Sequence, residues 1–150
     1  MALTQRTAGH GIQAHFSIDT RQVDARLKFL IEIVEPEFTN RGLFAAGNEL
    51  LADARDVGPQ APKDTGDLWR SARTTKAEIT AGGHAEILAG FNIVYAAKWH
   101  EVPLSKKINW TTNKGASQPG PKYLESKLLV NRDKYMKIIA DFLATGMKVS

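Results

Sequence analysis

The sequence predicts an α+β fold, with a long N-terminal helical segment and a C-terminal helix packed on a small, mostly antiparallel sheet with a long loop. Three observations predict it: apolar residues at helical spacing before residue 57 and again after residue 123, an alternating pattern around a glycine pair between them, and a run of loop-forming residues at 104–120. With 150 residues, 43% apolar, 8% aromatic and 24% charged, the chain is one domain's worth of protein with an ordinary core, too apolar for a disordered or collagen-like chain.

Residues 1–13 carry two glycines and no periodic apolar pattern, so a flexible N-terminal arm is expected ahead of a single domain at 14–146, with 147–150 as a tail. Ala14-His15-Phe16-Ser17-Ile18 alternates like a short strand and leads to Asp19-Thr20, a helix cap. Val23, Leu27, Leu30, Ile31 and Val34 then recur at helical spacing, which predicts an amphipathic helix up to Glu35. Pro36 either kinks this helix or sits in the first turn of a second one. Phe38, Leu43, Phe44, Leu50, Leu51 and Ala54 carry the helical period on to Val57-Gly58-Pro59.

From Gln60 to Ser71 a turn runs into a short helical start, with Asp64 as the expected cap and Asp67 as its reciprocal acceptor. Thr75–Thr80 and Ala85–Phe91 bracket Ala81-Gly82-Gly83-His84 and read as a β-hairpin. Ile93–Glu101 is apolar enough to be buried, as a short helix or a strand, and Pro103 closes it. The stretch from Leu104 to Pro121, broken only by Ile108-Asn109-Trp110, is a loop of a length that is uncommon in small domains unless it has a function. Gly120-Pro121 then opens a C-terminal helix of about five or six turns. Leu124, Leu128, Tyr135, Ile139 and Phe142 mark its buried face, and Gly146 is the expected stop.

Little in the chain points to catalysis. The absence of cysteine excludes disulfides, thiolate metal sites and thiol nucleophiles, and fits a reducing compartment. His10, His15, His84 and His100 are scattered, without the spacing of a metal-binding helix pair. No glycine-rich loop leads into Lys-Ser or Lys-Thr, and Ser71 and Ser117 lack a glycine-flanked elbow. His100-Glu101 has the residue types of an acid and base pair, but a histidine beside Trp99 is far more often a packing residue. A non-enzyme without cofactor or metal is therefore expected. No apolar run approaches the roughly 20 residues that cross a bilayer, and the start lacks the pattern of a signal peptide, so the chain is expected to stay in the compartment where it is made, without membrane contact.

The formal net charge is +4, and it is unevenly spread: residues 1–75 hold nine basic and ten acidic side chains, residues 76–150 eleven and six. Lys106, Lys107, Lys114, Lys122, Lys127, Arg132, Lys134 and Lys137 fall in one stretch, opposed only by Glu125 and Asp133. Such a surplus is either a solvated lysine-rich face or a contact for nucleic acid or an acidic partner. Trp69 and Trp99 sit in apolar contexts that core packing explains, whereas Trp110 lies in the loop among lysines, where an interface or stacking role fits.

The order of three blocks is distinctive. Ala61-Pro62-Lys63-Asp64-Thr65-Gly66-Asp67-Leu68-Trp69-Arg70-Ser71 comes first, then a hairpin and Tyr95-Ala96 followed by Glu101, then Gly120-Pro121-Lys122-Tyr123-Leu124 and a terminal helix. This succession, spanning roughly residues 15–145, resembles the tailed-phage neck family, the tail-completion or head-to-tail joining proteins of lambdoid-type phages. The chain departs from that pattern where Glu101 is followed by Val102-Pro103 instead of an aromatic and a glycine. The resemblance implies a virion protein, made in the host cytoplasm, that forms a homo-oligomeric, commonly sixfold, ring in the neck. Its implied partners are head-closure or adaptor proteins and the tail terminator or tail tube protein, with transient nonspecific contact with passing DNA.

On physical grounds the motif residues are structural. Thr65-Gly66 allows a sharp turn, Leu68 seats the short helix on the core and Ser71 satisfies its end. Tyr95, Ala96 and Glu101 are expected to pack sheet against helix while presenting a carboxylate for a lysine at a subunit boundary. Lys106, Lys107, Trp110, Lys114 and Lys122 are the candidate interface or DNA-channel residues. Two alternatives accompany this reading: a tail terminator that caps the tail tube, and a basic nucleic-acid-binding module built on Lys106–Lys137.

Overall fold

A computed structural model of the chain describes residues 2–8, 11–18, 36–79, 85–103 and 116–149. It is an α+β fold. Strands β1 (Ala2–Ala8) and β2 (Gly11–Ile18) precede the long helix α1 (Pro36–Asp56), the one-turn helix α2 (Asp67–Arg70), and strands β3 (Ala72–Thr74), β4 (Glu78–Ile79) and β5 (Ala85–Phe91). Helices α3 (Ala96–His100), α4 (Glu125–Val130) and α5 (Arg132–Val149) complete the order. The sheet runs β1-β2-β5-β3, with β4 sharing β3's side of β5, and every strand pair is antiparallel.

The second arm of the expected hairpin is β5, and its first arm is divided. Thr74 pairs with Ala89 but Glu78 pairs with Glu86, so three residues on one strand face two on the other, a bulge. Thr75 fills the gap: its amide donates to the Leu88 carbonyl at 2.8 Å and its hydroxyl accepts the Leu88 amide at 2.9 Å. The turn at 81–84, the helix expected from Asp19 to Glu35 and most of the loop after Leu104 lie outside the described residues.

Pro36 is the first residue of α1, where a fixed φ and a missing N–H cost nothing. Leu43, Ala46, Leu50, Leu51 and Ala54 are buried along it, whereas Phe44, one position off that stripe, is exposed. Two sides of α1 are in use. A Cβ on Gly47 would meet Ile87 Cδ1 at 2.7 Å, which marks the sheet side, and one on Gly42 would meet Ile139 Cα at 3.2 Å, which marks the α5 side. The C-terminal helix therefore packs along α1, and α1 packs on β5 and β3. The expected docking of both helices on the sheet becomes a stack of sheet, α1 and α5.

The arm expected at 1–13 contains β1 and the start of β2, held by main-chain pairing from Ala2↔Ser17 to Ala8↔Gly11, a source of order that apolar periodicity does not register. Pro121 does not open a helix: Lys122 has φ 56°, a left-handed conformation that interrupts one, and α4 starts at Glu125. The C-terminal helix is interrupted again at Asn131, with φ −103° and ψ 18°. Gly146 does not stop α5, which runs on to Val149 through part of the expected tail. A Cβ at residue 146 would lie 2.7 Å from Phe38 Cγ, so its glycine allows close approach of α5 to the start of α1.

Candidate functional site

The three motif blocks contact one another. In the first, Ala61, Pro62, Gly66 and Leu68 are buried. Gly66 takes φ 86° at the N-cap of α2, a conformation that side chains disfavour, so Asp64 does not cap the helix as expected. Thr65 does part of that work: its hydroxyl donates to the Asp67 carboxylate and accepts the Asp67 amide, while Arg70 closes on the other carboxylate oxygen. These bonds, against a small opposing effect of burial, hold the Asp67 carboxyl below its ordinary range. Ser71 ends the turn as expected, its hydroxyl donating to the Leu68 carbonyl at 2.7 Å. Trp69 anchors the block backwards through Nε1–H to the Ala61 carbonyl at 2.8 Å, with the Lys63 ammonium 4.3 Å from its ring centroid.

The second and third blocks form a joint around His100. Ile93–Glu101 contains α3, a helix, with Ala96 and His100 fully buried. Tyr95 is part-exposed and its phenol meets the main chain of Leu68, linking this block to the first. Burial and then the nearby Asp67 charge raise its pKa. His100 Nδ1 lies 2.7 Å from Glu101 Oε1, and His100 Nε2 accepts the Glu125 amide at 3.4 Å. That pair of contacts fits a neutral ring with its proton on Nδ1. Burial, which outweighs the pull of Glu101, keeps the pKa of His100 below its ordinary value.

The chain around the joint is stapled twice more. The Lys122 amide donates to the His100 carbonyl at 2.9 Å, and the Tyr123 hydroxyl donates to the Ala96 carbonyl at 3.0 Å. The Tyr123 ring stands edge-on to Phe91 and to His100, at 5.5 and 5.0 Å between centroids. Burial raises the Tyr123 pKa far above the usual phenol range. Gly120, against Pro59, and the Gln60 side chain, which accepts the Gln118 amide at 2.8 Å, join the third block to the end of α1.

The donor atoms of His100, Glu101 and Glu125 lie within 4.8 Å of one another. The cation there is an ammonium: Lys122 Nζ is 2.5 Å from Glu101 Oε2 and 3.1 Å from Glu125 Oε2. The Lys122 bond, ahead of the opposing effect of burial, lowers the Glu101 pKa. Glu101, expected to face a lysine at a subunit boundary, is matched by a lysine of its own chain, Lys122, which stands in a left-handed turn. As a chemical device the cluster is a neutral histidine with both ring nitrogens engaged and a carboxylate held by an ammonium, an arrangement that fixes backbone.

A second polar layer joins α1, α4 and α5. Asp53, nearly buried within α1, accepts bonds from Tyr135 Oη at 2.7 Å, Asn131 Nδ2 at 3.1 Å and Lys134 Nζ at 2.9 Å, and Glu49 holds Lys134 from one turn away. Burial alone would raise the Asp53 pKa; the bonds from Lys134 and Tyr135 override it and lower it. Lys127, also buried, donates to the Pro59 carbonyl at 3.1 Å, and burial lowers its pKa. Asp53 is not a candidate from sequence, and Lys127 enters there only as one lysine of the basic stretch. The available signal is positional: Asp53 stands beside Ala54 and one turn from Leu50, and Lys127 one turn from Leu124, charged side chains on apolar stripes.

Of the candidate interface residues, Lys106, Lys107, Trp110 and Lys114 lie outside the described residues, and Lys122 is committed to Glu101 and Glu125. The basic stretch is largely neutralised where it is described: Lys134 pairs with Glu49 and Asp53, Lys137 with Asp141, and Lys127 is buried. The large exposed apolar side chains include Val94, Leu129 and Val130, the last 81% exposed. No helix among the described residues is long and apolar enough to cross a membrane. No protein-family model, curated protein or solved structure matches the chain.

Proposed function

We propose that the chain is a structural virion protein of a tailed phage, a ring-forming subunit of the neck that joins the DNA-filled head to the tail. The observation that supports this reading is the convergence of the three resembling blocks. Residues far apart in the chain, Pro62 to Ser71, Tyr95 to Glu101 and Gly120 to Leu124, serve one continuous set of packing and hydrogen-bonding contacts around α2, α3 and the start of α4. The motif groups Thr65, Asp67, Ser71, Glu101, Lys122 and Tyr123 each hold backbone or another side chain, which suits a non-enzymatic part that must keep its shape under load. A closed ring needs two different complementary patches on each subunit. The exposed apolar residues on α3's approach (Val94) and at the end of α4 (Leu129, Val130) are candidates for them.

A tail terminator, occupying an adjacent ring, fits the same subunit. The nucleic-acid-binding reading is less favoured, because the described lysines of the basic stretch face carboxylates or are buried instead of lining an open groove. The test is deletion of the gene from a phage genome that carries it, imaging of the products, and addition of purified protein. Full heads and finished tails that join on addition support the neck joiner. Tails of uncontrolled length point to the terminator, and normal infectious particles sink the virion reading.

A further inference from the structure

The joint at His100 is assembled around one protonation state. Nδ1 faces the Glu101 carboxylate and Nε2 accepts from the Glu125 amide. A second proton has no acceptor at Nε2: it would stand donor against donor with the first amide of α4. The charged groups facing the ring among the described residues are Glu101 at the end of α3, Lys122 in the turn and Glu125 at the start of α4, with the Tyr123 phenol ring alongside. Two carboxylates favour the charged imidazole and one ammonium opposes it, but the side chain has no exposure to water. Beside the ring, the two ends of the chain between α3 and α4 are tied together by the Lys122 amide on the His100 carbonyl and by Lys122 Nζ on Glu101, and the ring itself adds the bond from the Glu125 amide.

We propose that His100 is an acid-sensitive latch: uptake of a proton at Nε2 breaks its bond to the Glu125 amide and undocks the segment Pro121–Glu125 from α3 while the sheet stays folded. With Nε2 accepting the Glu125 amide the ring carries no second proton, a state that burial also favours, so the latch is shut at neutral pH. It opens as pH falls below about 6.5, where the unfolded or undocked histidine takes the proton first. The device stands whether or not the chain joins heads to tails, because it rests on the local geometry alone.

The test is a titration of the full chain in which His10, His15 and His84 are replaced by Gln, leaving one histidine. Nitrogen-15 NMR of the ring and amide exchange are followed from pH 7.5 to 5. The expected result is a neutral Nδ1–H tautomer at pH 7.5, together with a loss of protection of about tenfold or more at the Glu125 and Lys122 amides as pH falls, with the β5 amides unchanged. An Nε2–H tautomer, or protection at Glu125 that is flat over that range, would overturn the latch. His100→Gln provides the second arm, expected to remove the pH dependence at Glu125. A purely packing role would lower protection equally at both pH values, and if His100→Gln does not fold, the single-histidine chain decides alone.

Discussion

Two glycines illustrate how one residue type serves different ends. Gly66 stands at φ 86°, so Gly66→Ala is expected to destabilise the fold by about 1–2 kcal/mol, read as a lower urea midpoint. Gly146 is inside a helix, where replacement by Ala ordinarily stabilises by about 1 kcal/mol. Here the added methyl would meet the root of the Phe38 side chain, at 2.7 Å from Cγ and 3.1 Å from Cβ, so Gly146→Ala is expected to cost about 1–2 kcal/mol, and a raised melting temperature would contradict the contact. At Asp53 the sign is set by protonation. Its folded pKa is lowered, so its contribution is present above the ordinary aspartate value and is lost as pH falls through the folded one. Tyr135→Phe, which removes one bond to that carboxylate, is expected to lower stability by about 1.5–3 kcal/mol at pH 7 and by less in acid, measured by urea unfolding at both pH values. Gly66 was legible as a sharp turn and Tyr135 as a buried position, but Gly146 and Asp53 were not: a glycine in a helical run reads as a stop, and an aspartate beside buried positions reads as solvated, until the partner across the fold is known.

At the scale of elements, periodicity located α1 and the body of the C-terminal helix, because both bury a stripe at helical spacing. It overlooked β1, whose order comes from main-chain pairing, and it ran through the interruptions at Lys122 and Asn131, which depend on backbone conformation. The motif turn was legible as a structural unit at Leu68 and Ser71 but not at Asp64, since Thr65 and Gly66 take the cap's place. Lys122 offers a test of that backbone effect. Its ion pairs are half-exposed and worth about 1 kcal/mol at most, whereas relief of a left-handed φ is worth about as much, so Lys122→Gly is expected to be more stable than Lys122→Ala. The reverse order, in thermal unfolding of the two variants, would mean that the turn is not left-handed in solution. In β3–β4, Thr75→Val keeps the shape but leaves the Leu88 amide without the hydroxyl, and is expected to cost about 1 kcal/mol by the same measurement.

For the whole molecule, the sequence made the α+β class and the order of the motif blocks legible, but not that the blocks meet or which helix touches the sheet. The latter depends on Gly42 and Gly47 opening two sides of α1, a property of pairs of elements. The functional reading rests on resemblance joined to the convergence of three separated blocks, and its central claim is a place in a particle. The most direct measurement is immunogold electron microscopy of intact virions of a phage carrying the gene, with antibody raised against the purified chain, before and after heads and tails are mechanically separated. The account predicts label at the head–tail junction in intact particles and at the broken neck ends after separation. Label distributed along the tail, confined to free DNA, or absent from purified particles would contradict it.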